Sequence, residues 1–160
     1  MALGAGCPLF PSQDPQMIDE KDPDVEDVMA PEIGERPPEV MMTAQGKAVA
    51  GVEGSYCYGP LCVDKIQPVA LVAESGSGFM VVERSDIEFS IDADVERMGV
   101  SVMDESGTFI GASNIEARKN ANGTFSYEIP SVAQGDLYIL VFVAFQGGGD
   151  VSYIFPVTLE

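Results

Sequence analysis

The stretch that most constrains the fold is Leu137–Phe145, in which nine consecutive residues are apolar or aromatic. Such a run is apolar on both faces of an extended strand, which predicts a strand in the middle of a sheet. A turn at 147–150, three glycines and an aspartate, leads into a second apolar run, Val151–Leu159. The two runs predict a central antiparallel hairpin, although Pro156 predicts that part of the second strand lies at a sheet edge.

Short apolar runs separated by turn signals continue through the rest of the chain after residue 40. Ile87–Asp92 alternates cleanly, which is typical of a half-buried strand. Asn120–Gly123 ends in Asn-Gly, which predicts a hairpin between 115–119 and 124–129. A turn is predicted at Asp104–Gly107. Further strands are predicted at Val40–Ala44, Lys47–Val52, Val69–Ala73, Phe79–Glu83, 98–102 and Thr108–Ala112.

No stretch after residue 41 shows a helical period. About eight short strands with regular turns predict an all-β domain over residues 41–160, an antiparallel Ig-like β-sandwich. A small barrel is the competing fold. Tyr138 stands where a tyrosine corner of a sandwich would lie, and the alternative is that it is a core aromatic.

Residues 1–40 have a different composition, which predicts a disordered, acidic, Pro-rich tail that serves as a linker. They contain 10 of the 26 acidic residues, 2 of the 8 basic residues and 7 of the 11 prolines. Met1–Cys7 is small and apolar and ends in a cysteine, like the end of a lipoprotein signal, which predicts a lipid anchor on Cys7. The alternative is a chance cysteine in a flexible end.

Charge and composition exclude several classes of function. The formal net charge of −18 repels phosphate backbones and anionic headgroups, so we expect no nucleic-acid partner and membrane contact only through a lipid anchor. The chain contains no histidine, which removes Ser-His-Asp and Cys-His catalysis and His-ligated metals. We therefore expect a protein that is not an enzyme.

Cys57 and Cys62 flank a Gly-Pro turn and could close a small disulfide loop if their Cα atoms come within about 7 Å. With Cys7 as an anchor, this pair would explain the odd cysteine count of an exported protein. Free thiols are the first alternative. Metal or redox chemistry is the second, for which two cysteines without a histidine are a poor ligand set.

The same segment carries a resemblance to a known family. Gly54-Ser-Tyr-Cys-Tyr58 followed by Cys62-Val-Asp64 resembles the Gly-Ser-Tyr-Cys-Trp…Cys-Val-Asp motif of uncharacterised surface lipoproteins of Gram-positive bacteria and archaea. Residues 138–155 are similar to the closing hairpin of that family, and Tyr58 stands where the family has tryptophan. The resemblance covers about residues 41–160. It implies a cell-surface location and brings no catalytic residues.

Three carboxylates are candidates for a calcium site. Asp92 and Asp94 would lie on one face of a strand, and Asp104 would lie across a possible hairpin from them. The EF-hand pattern fails here, because Arg97 stands at the glycine position and Met103 at the closing glutamate position. A solvated acidic loop is the alternative interpretation.

Two further candidate sites are a contact patch and a modification site. Tyr56, Tyr58 and Leu61 could form a small exposed patch for a partner, or could pack over the edge of the sheet. Asn122 begins an Asn-Gly-Thr acceptor sequence for N-glycosylation, and the same residues are also explained as a hairpin turn.

These patterns predict a non-catalytic, extracellular, lipid-anchored β-sandwich on the outer face of the cytoplasmic membrane. It would act as a binding or scaffold module whose partner is a protein or polymer at the cell surface. The first alternative is a calcium-dependent adhesion or stability module, and the second is an enzyme that uses a carboxylate pair. No cofactor is expected apart from calcium in the first alternative.

Overall fold

Two β-sheets and a short helix form the part of the chain that the computed structural model describes, residues 36–84 and 86–160. The elements in chain order are β1 (Val40–Ala44), β2 (Lys47–Ala50), β3 (Val52–Tyr58), β4 (Leu61–Val63), α1 (Pro68–Ser75), β5 (Met80–Val82), β6 (Asp86–Ile91), β7 (Val95–Met103), β8 (Ile115–Glu116), β9 (Arg118–Lys119), β10 (Phe125–Glu128), β11 (Gly135–Phe145) and β12 (Asp150–Leu159).

The strands form a sandwich, which confirms the predicted fold class. One sheet has the strand order β2-β1-β6-β10-β9. The other has the order β4-β3-β12-β11-β7-β8, with β5 also paired to β12. We call them the five-stranded and the seven-stranded sheet. Strand pairs are antiparallel, apart from β5 and β12, which run parallel.

The central hairpin predicted from the apolar runs is confirmed as β11 and β12, with β11 between β12 and β7. The prediction that Pro156 marks a sheet edge is wrong, because β12 has neighbours on both sides. Its second side pairs with β3 at residues 150–154 and with β5 at residues 157–159. Pro156 falls in the gap between them, where its missing N–H removes no ladder hydrogen bond.

The main core lies between the sheets and follows from the alternation along the strands. Ile87 and Phe89 of β6 are fully buried as predicted, and their neighbours along the strand are exposed. From the opposite sheet, Tyr153 and Phe155 of β12 point into the same layer. The rings of Phe89 and Phe155 lie 5.5 Å apart between centroids and so join the two sheets.

The strand predicted at Val69–Ala73 is wrong, because these residues form α1. Pro68 occupies the first turn of the helix, where its missing N–H has no partner to lose, and Gly76 ends it with a φ of 70°. The helix covers part of the outer face of the seven-stranded sheet. There Val72 packs with Met103, Tyr138 and Ile154. Tyr138 is thus a buried aromatic of this smaller cluster, as in the alternative interpretation.

Two predicted strands are in fact places where the chain crosses from one sheet to the other. The strand predicted at Lys47–Val52 ends at Ala50, and β3 begins in the other sheet after Gly51. A Cβ on Gly51 would lie 2.7 Å from the Phe155 ring, so only glycine lets the backbone pass so close to the core. The strand predicted at 115–119 likewise divides around buried Ala117 into β8 and β9.

The remaining turn predictions are mostly confirmed. Asn120–Gly123 turns between β9 and β10, with Gly123 at a φ of 87°. Asp104–Gly107 is also a turn, and the amide of Gly107 donates to the carbonyl of Asp104 over 3.0 Å. The strand predicted at Thr108–Ala112 is wrong, because its contact with β7 is a bridge between Phe109 and Met103. A loop follows instead along the edge of β7.

Buried tyrosines predict that the fold loses stability at alkaline pH. Burial raises the pKa of Tyr153, whose hydroxyl donates to the carbonyl of Pro38, and also raises the pKa of Tyr127. Above pH about 10 the unfolded chain releases these protons while the native state keeps them, so the free energy of unfolding must fall as pH rises. We expect the urea midpoint to decrease between about pH 9 and 11, and to decrease less in Tyr153→Phe. A wild-type midpoint that stays constant over this interval would contradict the prediction.

Candidate functional site at the disulfide end

Four turns meet at one end of the sandwich, which we call the disulfide end. The register explains the meeting, because Cys57 of β3 lies opposite Asp150 of β12 and Val40 of β1 lies opposite Ile91 of β6. Within each sheet, strands therefore begin or end at the same level, and the hydrogen bond from the N–H of Gln146 to the carbonyl of Asp94 joins the ends of the two sheets. The four turns are residues 59–60, 92–94, 120–123 and 146–149.

The first of these turns is the tip of a disulfide-linked hairpin. Cys57 and Cys62 are register partners on β3 and β4, with their Cα atoms 4.0 Å apart and an S–S distance of 2.10 Å. Gly59 turns the chain with a φ of 61°. The predicted disulfide is confirmed, and the segment that the sequence suggested as a loop is a hairpin. Its outer strand, β4, forms the edge of the seven-stranded sheet.

The predicted contact residues divide into two kinds. Tyr56 and Tyr58 are half-buried and pack against the main core, and the ring of Tyr58 meets the ring of Phe145 edge-on at 5.4 Å. Leu61, by contrast, is 52% exposed at the start of β4. The two tyrosines support the hairpin from inside, and Leu61 is the member of the set that faces solvent.

Lys65 braces the hairpin after β4 ends. Its ammonium group donates to the carbonyl of Glu53 over 3.0 Å and forms an ion pair with the Glu53 carboxylate at 2.9 Å. Its backbone N–H donates to the hydroxyl of Ser55 over 2.9 Å. The same ammonium group lies 5.8 Å from the centroid of the Tyr56 ring. These contacts tie residues 64–66 back onto β3.

The turn at 146–149 connects the hairpin with the other turns. The N–H of Gln146 donates to the carbonyl of Asp94 over 3.0 Å, so this turn holds the 92–94 turn. On its other side Gly149, at a φ of 89°, lies against the hairpin, where an added Cβ would come within 2.8 Å of the Cys57 carbonyl oxygen. The disulfide end is therefore a connected set of turns.

Asp92 and Asp94 line an open cleft of about 650 Å³ at this end, together with Lys119, Asn122 and Gln146. The proposed third calcium ligand lies elsewhere. Asp104 follows the nine-residue strand β7, whereas Asp94 precedes it, so about 30 Å separates them. The described residues contain no group of three or more acidic or cysteine side chains placed to hold a metal ion. The predicted assembly of the three carboxylates is wrong.

Asp104 has a local role instead. Its carboxylate accepts the N–H groups of Ser106 and Thr108 over 2.9 and 3.0 Å, and also accepts the Ser106 hydroxyl. The Ser106 hydroxyl and the Thr108 amide hold the pKa of this carboxyl below its usual value. The carboxylate thus closes the turn that follows β7.

Asn122 lies exposed at the tip of the β9–β10 hairpin. Its side-chain oxygen accepts the N–H of Thr124 over 3.1 Å and the Thr124 hydroxyl over 2.7 Å. These bonds are those of a hairpin turn, which the sequence favoured. The use of Asn122 as a glycosylation acceptor stays a prediction.

The predictions for the N-terminal segment fall mostly outside the described residues. Cys7 and residues 8–35 of the predicted linker are not among them. The described chain enters at the disulfide end, where Pro37 is buried and Val40 begins β1. Within residues 36–84 and 86–160, no helix has the length and apolarity needed to cross a membrane.

Sequence reasoning missed the residues that join the turns. Gln146 and Gly149 carry the contacts between neighbouring turns, and Lys65 ties the segment after β4 to β3. The sequence did not single out any of the three as a contact residue. The one available signal was the run Gly147–Gly149, which indicated a tight turn. It did not indicate which other turns this one contacts. These contacts depend on which strand ends meet in the folded chain.

The fold and the site define an antiparallel β-sandwich with a disulfide-linked edge hairpin. No protein-family model matches the chain, and no curated protein matches it. Among solved structures, it is similar to CopC from Methylosinus trichosporium OB3b, with 20% sequence identity and a TM-score of 0.44. The match covers 54% of this chain and 87% of CopC. A similarity of this extent carries no argument about function.

Proposed function

We propose that this protein is a non-catalytic binding module at the outer face of the cell, held there by a lipid on Cys7. The partner is a protein or polymer of the cell surface, and the contact is made by the disulfide end. The observation that carries the proposal is the disulfide-linked hairpin, which holds Leu61 exposed on a braced support. The resemblance of residues 54–64 to surface lipoproteins supports the same location.

Two physical arguments support this choice. Disulfides persist in oxidising compartments outside the cytoplasm, which fits an exported protein. An apolar side chain on a rigid support loses little conformational freedom on binding, so more of its contact energy appears as affinity. An acidic Pro-rich linker would hold the domain away from the membrane and give its end access to partners.

The contact surface is tested with Leu61→Ser and a matched control, Val132→Ser. Both replace an exposed aliphatic side chain, and Val132 is 67% exposed in the loop that follows β10, at the opposite end of the sandwich. We expect Leu61→Ser to weaken binding of the fluorescently labelled domain to envelopes of the source cell by about 10-fold, and Val132→Ser to leave it unchanged. Protease treatment of the envelopes distinguishes a protein partner from a polymer.

Equal binding by Leu61→Ser and the wild type would overturn the contact surface. The anchor is tested separately by the intact mass of the protein from its native cell. A lipid adduct that maps to Cys7 supports the anchor, and an unmodified Cys7 thiol removes it. The two results are independent, because an unanchored domain could still bind through its disulfide end.

A further inference from the structure

The outer face of the seven-stranded sheet is only partly covered. Helix α1 lies over Met103, Tyr138 and Ile154. Closer to the disulfide end, β11 carries a second outward-facing ring, Phe142, in an uncovered part of the sheet. Its register partners are Gly99 on β7 and Ser152 on β12. Ser152 is small and leaves space on one side of the ring, and Gly99 on the other side leaves room for the loop that follows β7.

This space is a groove of about 310 Å³. One wall is the outer face of β11, with Leu140 and Phe142. The other wall is the loop that leads from β7 to β8, where Phe109 is 51% exposed. Phe109 and Phe142 thus both line an open groove, and small-molecule sites are mostly apolar with a few placed polar groups.

The polar wall of the groove is built by Asn114. Its backbone has a φ of 55°, in the left-handed region that few residues other than glycine adopt. Its N–H donates to the hydroxyl of Ser101 over 2.6 Å, and Ser101 is one of two buried polar residues in the described part of the chain. An added Cβ on Gly99 would lie 1.9 Å from the Asn114 side-chain oxygen. The Asn114 carboxamide therefore occupies a fixed position over Gly99.

Arg97 supplies a positive charge at this groove. Its Cζ lies 5.9 Å from the centroid of the Phe142 ring, so the guanidinium group is held beside the apolar surface. Among the described residues, an ion pair joins Lys65 to Glu53, and none joins Arg97 to a carboxylate. The Arg97 guanidinium, held beside an apolar groove without a carboxylate partner, is complementary to an anionic ligand.

We propose that this groove binds a small amphiphilic anion. The apolar body of the ligand packs between Phe109 and Phe142, and its single carboxylate or sulfonate pairs with Arg97. Asn114 offers a carboxamide to the polar end. The site lies on the sheet face rather than at the disulfide end, so it is independent of the function proposed above.

The test uses decanoate and its uncharged analogue decanol as probes, with affinities measured by calorimetric titration of the full chain. We expect Arg97→Gln to weaken decanoate binding by about 2- to 5-fold and to leave decanol binding unchanged. Phe142→Ala should weaken both by about 10-fold, because the apolar body loses its main contact. Lys47→Gln removes the same charge on β2 of the other sheet and should change neither affinity.

Three outcomes would overturn the proposal. The first is no decanoate binding by the wild type at about 1 mM. The second is an equal loss in Arg97→Gln and Lys47→Gln, which would mean a general effect of charge. The third is unchanged binding in Phe142→Ala and Phe109→Ala together, which would place the probe elsewhere. Thermal melts of each variant establish that it is folded. If Phe142→Ala does not fold, the affinity of Phe109→Ala for the two probes tests the apolar contact instead.

Discussion

Phe155→Ala is expected to lower the free energy of unfolding by about 3–5 kcal/mol, a large part of the stability of an ordinary domain. Phe155 is fully buried, and its ring meets Phe89 of the opposite sheet at 5.5 Å. It also lies against Gly51, where the chain crosses between the sheets. The substitution therefore leaves a cavity at a point where two sheets and a crossover meet, and the Gly51 backbone beside it limits collapse.

Urea unfolding with the disulfide intact measures this loss. Phe109→Ala is the matched control, because it removes the same atoms from a side chain that is 51% exposed, and it should cost less than about 1 kcal/mol. Phe155→Leu provides a milder change and should fall between the two. Equal losses for Phe155→Ala and Phe109→Ala would mean that the core is not organised around this ring.

The core was predictable from the sequence because its signal is local. Ile87 and Phe89 alternate with polar residues, which predicts a strand with one buried face. Leu137–Phe145 is apolar on both faces, which predicts a central strand. The error at Val69–Ala73 has a physical reason. Helix α1 has eight residues, of which only Val72 is buried, so no helical period can be read from it. A short apolar run is compatible with a strand or a helix. This one is a helix that packs through Val72 on the outer face of the seven-stranded sheet, and that contact cannot be read from the run itself.

The candidate site was predictable only in part, for a related reason. The Cys57–Cys62 bridge was readable because a short spacing across a turn is a local property. The roles of Tyr56 and Tyr58 were not, since their burial depends on Phe145 and the opposite sheet. The calcium hypothesis was wrong because it assumed that Asp94 and Asp104 face each other, whereas the nine-residue strand β7 separates them.

Gly149→Ala is expected to lower the free energy of unfolding by about 2–4 kcal/mol and to disturb the disulfide end specifically. Gly149 has a φ of 89°, a conformation that a residue with a Cβ adopts only with strain. The added methyl group would also lie 2.8 Å from the Cys57 carbonyl oxygen and 3.5 Å from the Cα of Tyr58. Both are backbone atoms of the disulfide-linked hairpin, which cannot move aside as a flexible side chain would.

Gly147→Ala is the matched control within the same turn. A Cβ there meets nothing within 4 Å, and Gly147 is not among the residues with positive φ. The change should be within about 1 kcal/mol, in either direction. Because Gly149 joins the hairpin to the turn that holds Asp94, Gly149→Ala should also increase amide hydrogen exchange at both Tyr58 and Gln146, while exchange in β7 stays slow. If Gly149→Ala matched Gly147→Ala in both stability and exchange, the turns of this end would be independent, and a rigid support for Leu61 would no longer follow from the fold.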